Sequence, residues 1–455
     1  MNSTVDFASW RLTGALPGNV WPAVPSPDAA ATLAVLFQME SSQWLPPDDI
    51  FARQLSQLDA LLRHAYATTP WYQRHWRGIY DPSKTLTPDR FVALPRIERR
   101  DLQTGSGELQ STRLPPAHGR TQEHRTSGST GSPIRHLSTG LSRIYWNAFT
   151  LRDHLWHRRD LGLKLAVVRR ESTSSRAANW GSATAGLVAT GPGVTHSINA
   201  DAGELLDWLL AERPGYLLTY PSLIRELARL SIERKVRLDG LVEVRAFAEM
   251  LGTDVRPLCR EAWGVPVTDM YSAVETGYLA LQCPEHEHYH VQSEGVVLEV
   301  LDDAGRPCGA GEVGRVVVTT LHNFAMPLVR YDIGDYAEVG PPCPCGRGHP
   351  VLRRILGRVR NTLVTADGKR YWPILSSQSL LDVAPIRQHQ FVQTAYDKVE
   401  VRLVLDSPLT ADQTLAARKI LEENFPAGIH FEFVRVDGLS RSAGGKFEDF
   451  VSQVA

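Results

Sequence analysis

The chain has 455 residues, 43% hydrophobic and 22% charged, an ordinary balance for a globular protein too long for a single core. Forty-nine basic residues against 50 acidic ones leave a net charge of −1, which excludes the basic footprint of a nucleic-acid or anionic-membrane binder. Five cysteines are too few and odd in number for a disulfide framework, so a reducing cytoplasm is the expected location. Residues 1–10 carry no basic segment followed by an apolar run, and no apolar run approaches the ~18 residues that span a bilayer. Neither a secretory signal nor a membrane segment is therefore expected.

In chain order, residues 14–30 and 45–48 are rich in Pro and small residues and predict irregular surface structure. Phe51, Leu55, Leu58, Leu61, Leu62 and Tyr66 are spaced for an amphipathic helix over residues 49–75. Residues 141–157 predict a second helix with aromatics at Tyr145, Trp146, Phe149 and Trp156. Strands at 165–168, 216–219, 244–247 and 267–270 alternate with helices at 202–212 and 222–235, the pattern of an α/β architecture with a parallel sheet. From about residue 295 the segments 296–301 and 314–320 predict a smaller, mainly antiparallel β-rich unit. A hairpin (390–396 and 398–405), a helix (411–425) and a strand (429–436) then predict a compact α+β module. The expected fold is thus α/β: a large N-terminal domain (1–357) with parallel sheets and a β-rich subdomain, and a small mobile α+β C-terminal domain (358–455). The polar stretch Gly357-Arg358-Val359-Arg360 is the hinge candidate.

Several motifs carry chemistry. Arg125-Thr126-Ser127-Gly128-Ser129-Thr130-Gly131-Ser132-Pro133 offers hydroxyls and backbone N–H groups with nothing to bury, which suits phosphate oxygens, although the lysine of a Walker loop is missing. Tyr271-Ser272-Ala273-Val274-Glu275-Thr276-Gly277 follows a strand, where α/β proteins bind ligands, and Glu275 is a candidate Mg²⁺ ligand. Tyr331-Asp332-Ile333-Gly334-Asp335 ends a β segment, with Asp335 able to accept both hydroxyls of a ribose. Arg358 adds a fixed cation, and Lys446 another, on the glycine-rich Ser440-Arg441-Ser442-Ala443-Gly444-Gly445-Lys446. Cys343-Pro344-Cys345-Gly346 is a two-thiol turn, and Cys283-Pro284-Glu285-His286 supplies a Cys-x₂-His partner with His288 and His290 close behind. Pairs at this spacing suit a structural Zn²⁺ held by Cys283, Cys343 and Cys345 with either His286 or His290.

The ordered set of motifs resembles the adenylate-forming superfamily of acyl-CoA synthetases, most nearly its phenylacetate–CoA ligase branch with capsule-biosynthesis-like relatives, over roughly residues 50–450. The resemblance implies ATP-dependent activation of a carboxylic acid, expected to be aromatic, to an acyl-adenylate, then transfer to CoA. Its alternative is transfer to an amine or a carrier-protein thiol. It implies that Ser127, Gly128, Ser129, Thr130 and Gly131 hold the ATP phosphates, with Thr130 among the catalytic residues. Ala248 and Glu249 (in Phe247-Ala248-Glu249-Met250) would line the adenine. Tyr271 would stack on it beside Ser272 and Thr276, Glu275 would ligate Mg²⁺, and Asp335 would bind ribose. Arg358 would contact ribose or phosphate, Arg360 would occupy the hinge, and Lys446 would stabilise the adenylation transition state. Tyr145, Trp146, Trp180 and Tyr220 are the candidates for contact with the acid, against the reading that aromatics at helical spacing are core. ATP, Mg²⁺, CoA and structural Zn²⁺ are the implied cofactors, with no nucleic-acid or membrane partner, in a monomer or homodimer. Departures are Ile134 where the superfamily often has Lys, Arg360 where an acidic hinge residue is usual, and a longer turn at residues 365–373.

Overall fold

The computed structural model describes residues 10–125, 134–170, 174–358, 362–371, 380, 383–384, 386–405, 407–439 and 447–454. By their internal contacts they form two units. The first comprises residues up to 165, 176–194 and 270–355; the second comprises 166–175, 195–269 and 356 onward.

In the first unit the helix Pro27–Ser42 begins inside the stretch expected to be irregular. Ser26 accepts a hydrogen bond from the Ala29 N–H and Pro27 sits at the first helical position, which together start a helix cleanly. The helix expected over 49–75 is two helices, Pro47–Thr68 and Pro70–His75, because Thr69 is extended (φ −111°, ψ 113°) before Pro70. The helix Gly140–Trp156 starts within one residue of expectation, with Thr139 and Ser142 forming a reciprocal cap.

These helices accompany an antiparallel β region. The strands run in the order Val296–Leu301, Val313–Thr320, Tyr331–Val339, Val351–Arg358, Tyr289–Val291 and Gly277–Gln282. Its core includes Leu58, Leu61, Trp76, Val316, Val318 and Tyr331. The ladder slips between the second and third strands: Val317 opposes Asp332, whereas Arg315 opposes Tyr336. Extra residues on the Tyr331–Val339 side therefore bulge out, and they include Gly334 (φ +83°) and Asp335.

The second unit contains the strand–helix alternation. Tyr216–Thr219 pairs parallel with Glu243–Ala246, and Glu243–Ala246 pairs parallel with the start of Val267–Ala273. The helix Ala202–Glu212 precedes the first of these strands, and the helices Pro221–Arg234 and Val255–Trp263 lie between them in sequence, supplying the crossover connections that parallel strands need. The same unit holds the C-terminal module. Its sheet runs His430–Arg435, Lys398–Leu405, Ile386–Ala395, Phe450–Ser452, and the helix Ala411–Asn424 contributes Ala417 and Leu421 to a core with Phe391, Val401, Phe431 and Phe450. The architecture is α/β with a large β-rich region and a small C-terminal sheet module. Among the described residues no helix is long and apolar enough to cross a membrane.

Candidate active site

Ala273 pairs with Gly277 across a tight hairpin, and Gly277 takes φ +80°, a conformation that L side chains rarely adopt. Val274 at the tip is exposed, while Glu275 turns inward and is only 5% exposed. Its Oε1 accepts a hydrogen bond from the Tyr331 hydroxyl at 3.3 Å, and the Arg99 guanidinium lies 3.6 Å away. Burial, then the negative charge of Glu275, pushes the Tyr331 phenol above its ordinary range, so it stays a neutral donor. Arg99 is the first residue of the helix Arg99–Gly105, which Glu98 and Asp101 cap reciprocally. Next to Glu275, the buried Thr276 hydroxyl and Arg99 Nε have no hydrogen-bond partner among the described residues. One long hydrogen bond, one ion pair and an idle hydroxyl make this an acceptor set with capacity to spare.

Tyr271 precedes the same hairpin. Its hydroxyl donates to Asp335 Oδ2 at 2.7 Å, joining two of the expected nucleotide-binding residues across 64 positions of sequence. Asp335 reaches Tyr271 from the bulge, where Asp332 Oδ1 accepts from the Gly334 N–H at 3.0 Å. Ser272 is in the ladder, opposite Tyr278. Tyr331 and Arg99 were not singled out as site residues. Tyr331 opens a motif whose sequence signal lies in its carboxylates, and nothing in the sequence near Arg99 points to Glu275.

In the second unit, the Glu249 N–H bonds to the Phe247 carbonyl at 2.9 Å and Ala248 between them has φ +68°. This is a γ-turn of the strained hand, held by a non-glycine residue. It aims the Glu249 carboxylate at two backbone donors: Oε2 accepts from Ser222 N–H at 3.0 Å, and Oε1 from Phe447 N–H at 2.6 Å. Tyr220 packs on Phe247 at 4.7 Å between ring centroids. Arg358 ends the strand Val351–Arg358, directly after Gly357 at φ +74°. Ser127, Gly128, Ser129, Thr130, Gly131, Arg360 and Lys446 lie outside the described residues. Ile134, just after the loop, is fully buried in the core of the first unit, a place where a lysine could not keep its charge solvated.

The cysteine turns meet. Donor atoms of Cys283, His288, His290 and Cys343 lie within 4.8 Å of one another, and Cys345 Sγ is 3.4 Å from His290 Nε2. The Cys283 N–H bonds the His288 carbonyl at 2.8 Å, folding the intervening turn so that His288 joins the cluster. His286, expected as a ligand, is left on the turn, where its ring stacks on His288 at 5.1 Å. His288 Nε2 and His290 Nδ1 have no hydrogen-bond partner among the described residues. Burial and the neighbouring His290 and His286 hold His288 below its ordinary pKa, and so neutral. A hydrogen bond from Cys283, helped by His290, draws the Cys345 thiol down, while the same contact pushes Cys283 up. Thiols beside neutral imidazoles form a donor set for a borderline-soft divalent cation.

The aromatic candidates are largely packed. Tyr145 stacks on His322 at 3.7 Å, Trp146 packs on Tyr278 at 4.5 Å, and Trp180 donates its indole N–H to the Leu163 carbonyl at 2.9 Å. Trp146, 40% exposed, keeps the most free surface of the three in the first unit.

No family model matches the chain. A phenylacetate–coenzyme A ligase of Thermus thermophilus is 26% identical over 383 residues, 80% of this chain and 83% of its own length. Protein CapK of Staphylococcus aureus is 24% identical over 243 residues, 51% of this chain and 52% of its own. A solved 2-hydroxyisobutyryl-CoA ligase, in its postadenylation state, shares the fold with a TM-score of 0.73 at 20% identity over 91% of each chain. The fold is that of solved adenylate-forming CoA ligases. In sequence, the chain is similar to phenylacetate–CoA ligases over most of its length.

Proposed function

We propose that the protein is an AMP-forming acid–thiol ligase. An oxygen of the substrate carboxylate attacks the α-phosphorus of ATP, the bond to pyrophosphate breaks, and an acyl-adenylate forms. The sulfur of CoA then attacks the acyl carbon, AMP departs, and the thiol proton passes to solvent. The single observation that carries this reading is the first-unit constellation, in which Tyr271 and Asp335 are hydrogen-bonded beside the hairpin that buries Glu275.

Each residue has a task in that chemistry. Tyr271 offers a ring face to the adenine and fixes Asp335 for the ribose hydroxyls. The loop 126–131 surrounds the phosphates with hydroxyl and amide donors, and Arg358 adds a cation to the ribose or phosphates. The buried carboxylate of Glu275, with the idle Thr276 hydroxyl, fits Mg²⁺, which supplies charge neutralisation on the phosphates when bound. Lys446 neutralises charge that develops at the α-phosphate, so the reaction runs by positioning and electrostatics rather than by proton transfer. The acid is aromatic, contacted by the exposed face of Trp146. Cys283, Cys343, His290 and either His288 or Cys345 would hold a structural Zn²⁺, whose role would be to stabilise the two turns that carry them.

The test is mass spectrometry of products from ATP, CoA and a panel of aryl and arylalkyl acids, phenylacetate included. The expected products are AMP, pyrophosphate and one acyl-CoA. ADP and phosphate, or an adenylate that CoA never consumes while amines or a phosphopantetheinyl protein do, would overturn the reading.

A further inference from the structure

The cysteine turns carry one donor more than a closed zinc site uses. Cys283, His288, His290 and Cys343 bring four donor atoms within 4.8 Å of one another, a complete tetrahedral set, and Cys345 is a fifth. The imidazoles show where Cys345 stands. His288 Nε2 and His290 Nδ1 are buried ring nitrogens that no described residue hydrogen-bonds, which suits them to a metal, whereas His290 Nε2 lies 3.4 Å from Cys345 Sγ. A metal on Nδ1 leaves the ring proton on Nε2, and that N–H donates to the Cys345 sulfur, the usual way in which a neighbour orients a ligating histidine. Cys345 is also the most reachable of the three thiols: it is partly exposed, while Cys283 is 1% and Cys343 7% exposed. The thiol that meets it from the other turn is Cys283, which hydrogen-bonds it. Cys343 is a poor partner for it in a disulfide, since both sit in one tight turn, closed by the Gly346 N–H on the Cys343 carbonyl at 3.2 Å.

We infer that Cys345 is a peroxide-reactive thiol standing beside a Cys₂His₂ zinc site, and that its oxidation draws Cys283 away from the metal. The inference rests on the zinc reading above and assigns the fourth ligand to His288. The Cys345 thiolate attacks one oxygen of hydrogen peroxide, the O–O bond breaks, and the departing hydroxide takes a proton and leaves as water. Cys345 is then a sulfenic acid in contact with Cys283. The Cys283 sulfur attacks the Cys345 sulfur, the S–O bond breaks, and a second hydroxide leaves as water. Two thiolates, two protons and one peroxide thus give one disulfide and two waters. Cys343, His288 and His290 remain, one ligand short of the set, and the zinc departs. Reduction of the Cys283–Cys345 disulfide by a dithiol restores both thiolates and, with zinc, the site. Such a device needs a spare thiol touching a ligand thiol, and the fifth donor supplies it.

The test uses the full chain, purified with its zinc under reducing conditions, and the variant Cys345→Ser. After addition of hydrogen peroxide, zinc release is followed with a chromogenic chelator, and peptide mass spectrometry locates disulfides and, in a parallel sample, dimedone adducts of sulfenic acids. The parent is expected to release about one equivalent of zinc and to form the Cys283–Cys345 disulfide, both reversed by dithiothreitol and added zinc. With dimedone present, the adduct is expected on Cys345. Cys308 is the internal control: it too is partly exposed, but burial and the Glu312 and Asp302 carboxylates keep it a thiol, and it is expected to stay reduced. Cys345→Ser is expected to keep its zinc on purification and to release it to peroxide at least about tenfold more slowly. A zinc-free Cys345→Ser makes Cys345 a ligand and overturns the inference. Release as fast as the parent's, a disulfide joining Cys283 to Cys343, or adducts as abundant on Cys308 as on Cys345 overturn it equally. A parent that carries no zinc defeats the zinc reading, and the release step with it, even where the Cys283–Cys345 disulfide forms.

Discussion

Glu275 combines deep burial with weak engagement: its partners are a hydroxyl at 3.3 Å and a guanidinium at 3.6 Å. A carboxylate with a purely structural duty would be bonded more closely, because an ionised group removed from water needs short hydrogen bonds to offset desolvation. Glu275→Gln preserves the shape and removes the charge. We expect it to slow adenylation by about a hundredfold, ~2.7 kcal/mol at 1.36 kcal/mol per tenfold, and to raise the magnesium concentration needed for half-maximal exchange. An unaltered magnesium titration would contradict the assignment. Ile134 gives a second residue-scale outcome. Its side chain has no exposure, so Ile134→Lys buries an unpaired charge and is expected to cost on the order of 3 kcal/mol or more, read as a lowered Tm. The identities of Tyr271, Glu275 and Asp335 were legible as motifs. Arg99 and Tyr331 were not, because their role depends on a contact across the β region that no local pattern encodes. The bulge that re-aims Asp335 left one trace in the sequence, Gly334.

Elements were readable wherever periodicity and punctuation agreed. The helix Ala202–Glu212 and the strands Tyr216–Thr219, Val296–Leu301 and Lys398–Leu405 match expectation to the residue. The helix Pro27–Ser42 was missed because its alanine-rich start reads as loop unless the Ser26–Pro27 signal is weighted above the surrounding prolines. The cysteine turns were legible by spacing, whereas the place of His288 was not: the Cys283–His288 backbone bond folds the turn that brings it beside His290. Cys343→Ser removes one thiolate from the cluster. Purified protein is expected to carry about one equivalent of zinc, and the variant far less, with a Tm lower by several degrees because metal binding contributes directly to folding free energy. Full zinc occupancy in the variant, or none in the parent, would remove the site.

Across the whole molecule, the composition announced more than one core, and the alternation of strands and helices announced α/β architecture before any motif was considered. The grouping of residues 166–175 and 195–269 with residues 356 onward could not be read from the chain, because it depends on which faces pack in space. The proposed chemistry draws on residues spread from position 126 to position 446. A chain ending at residue 357 lacks much of the second unit as well as Lys446, so it is expected to lose adenylation together with stability, read as a lowered Tm, whereas Lys446→Ala is expected to lose adenylation alone. The central claim, that the carboxylic acid is activated as an adenylate, is tested most directly by acid-dependent exchange of labelled pyrophosphate into ATP without CoA. The account predicts exchange that requires an acid and magnesium and that falls by orders of magnitude in Lys446→Ala with the fold intact. Exchange that is independent of acid, or equal in parent and Lys446→Ala, would contradict it.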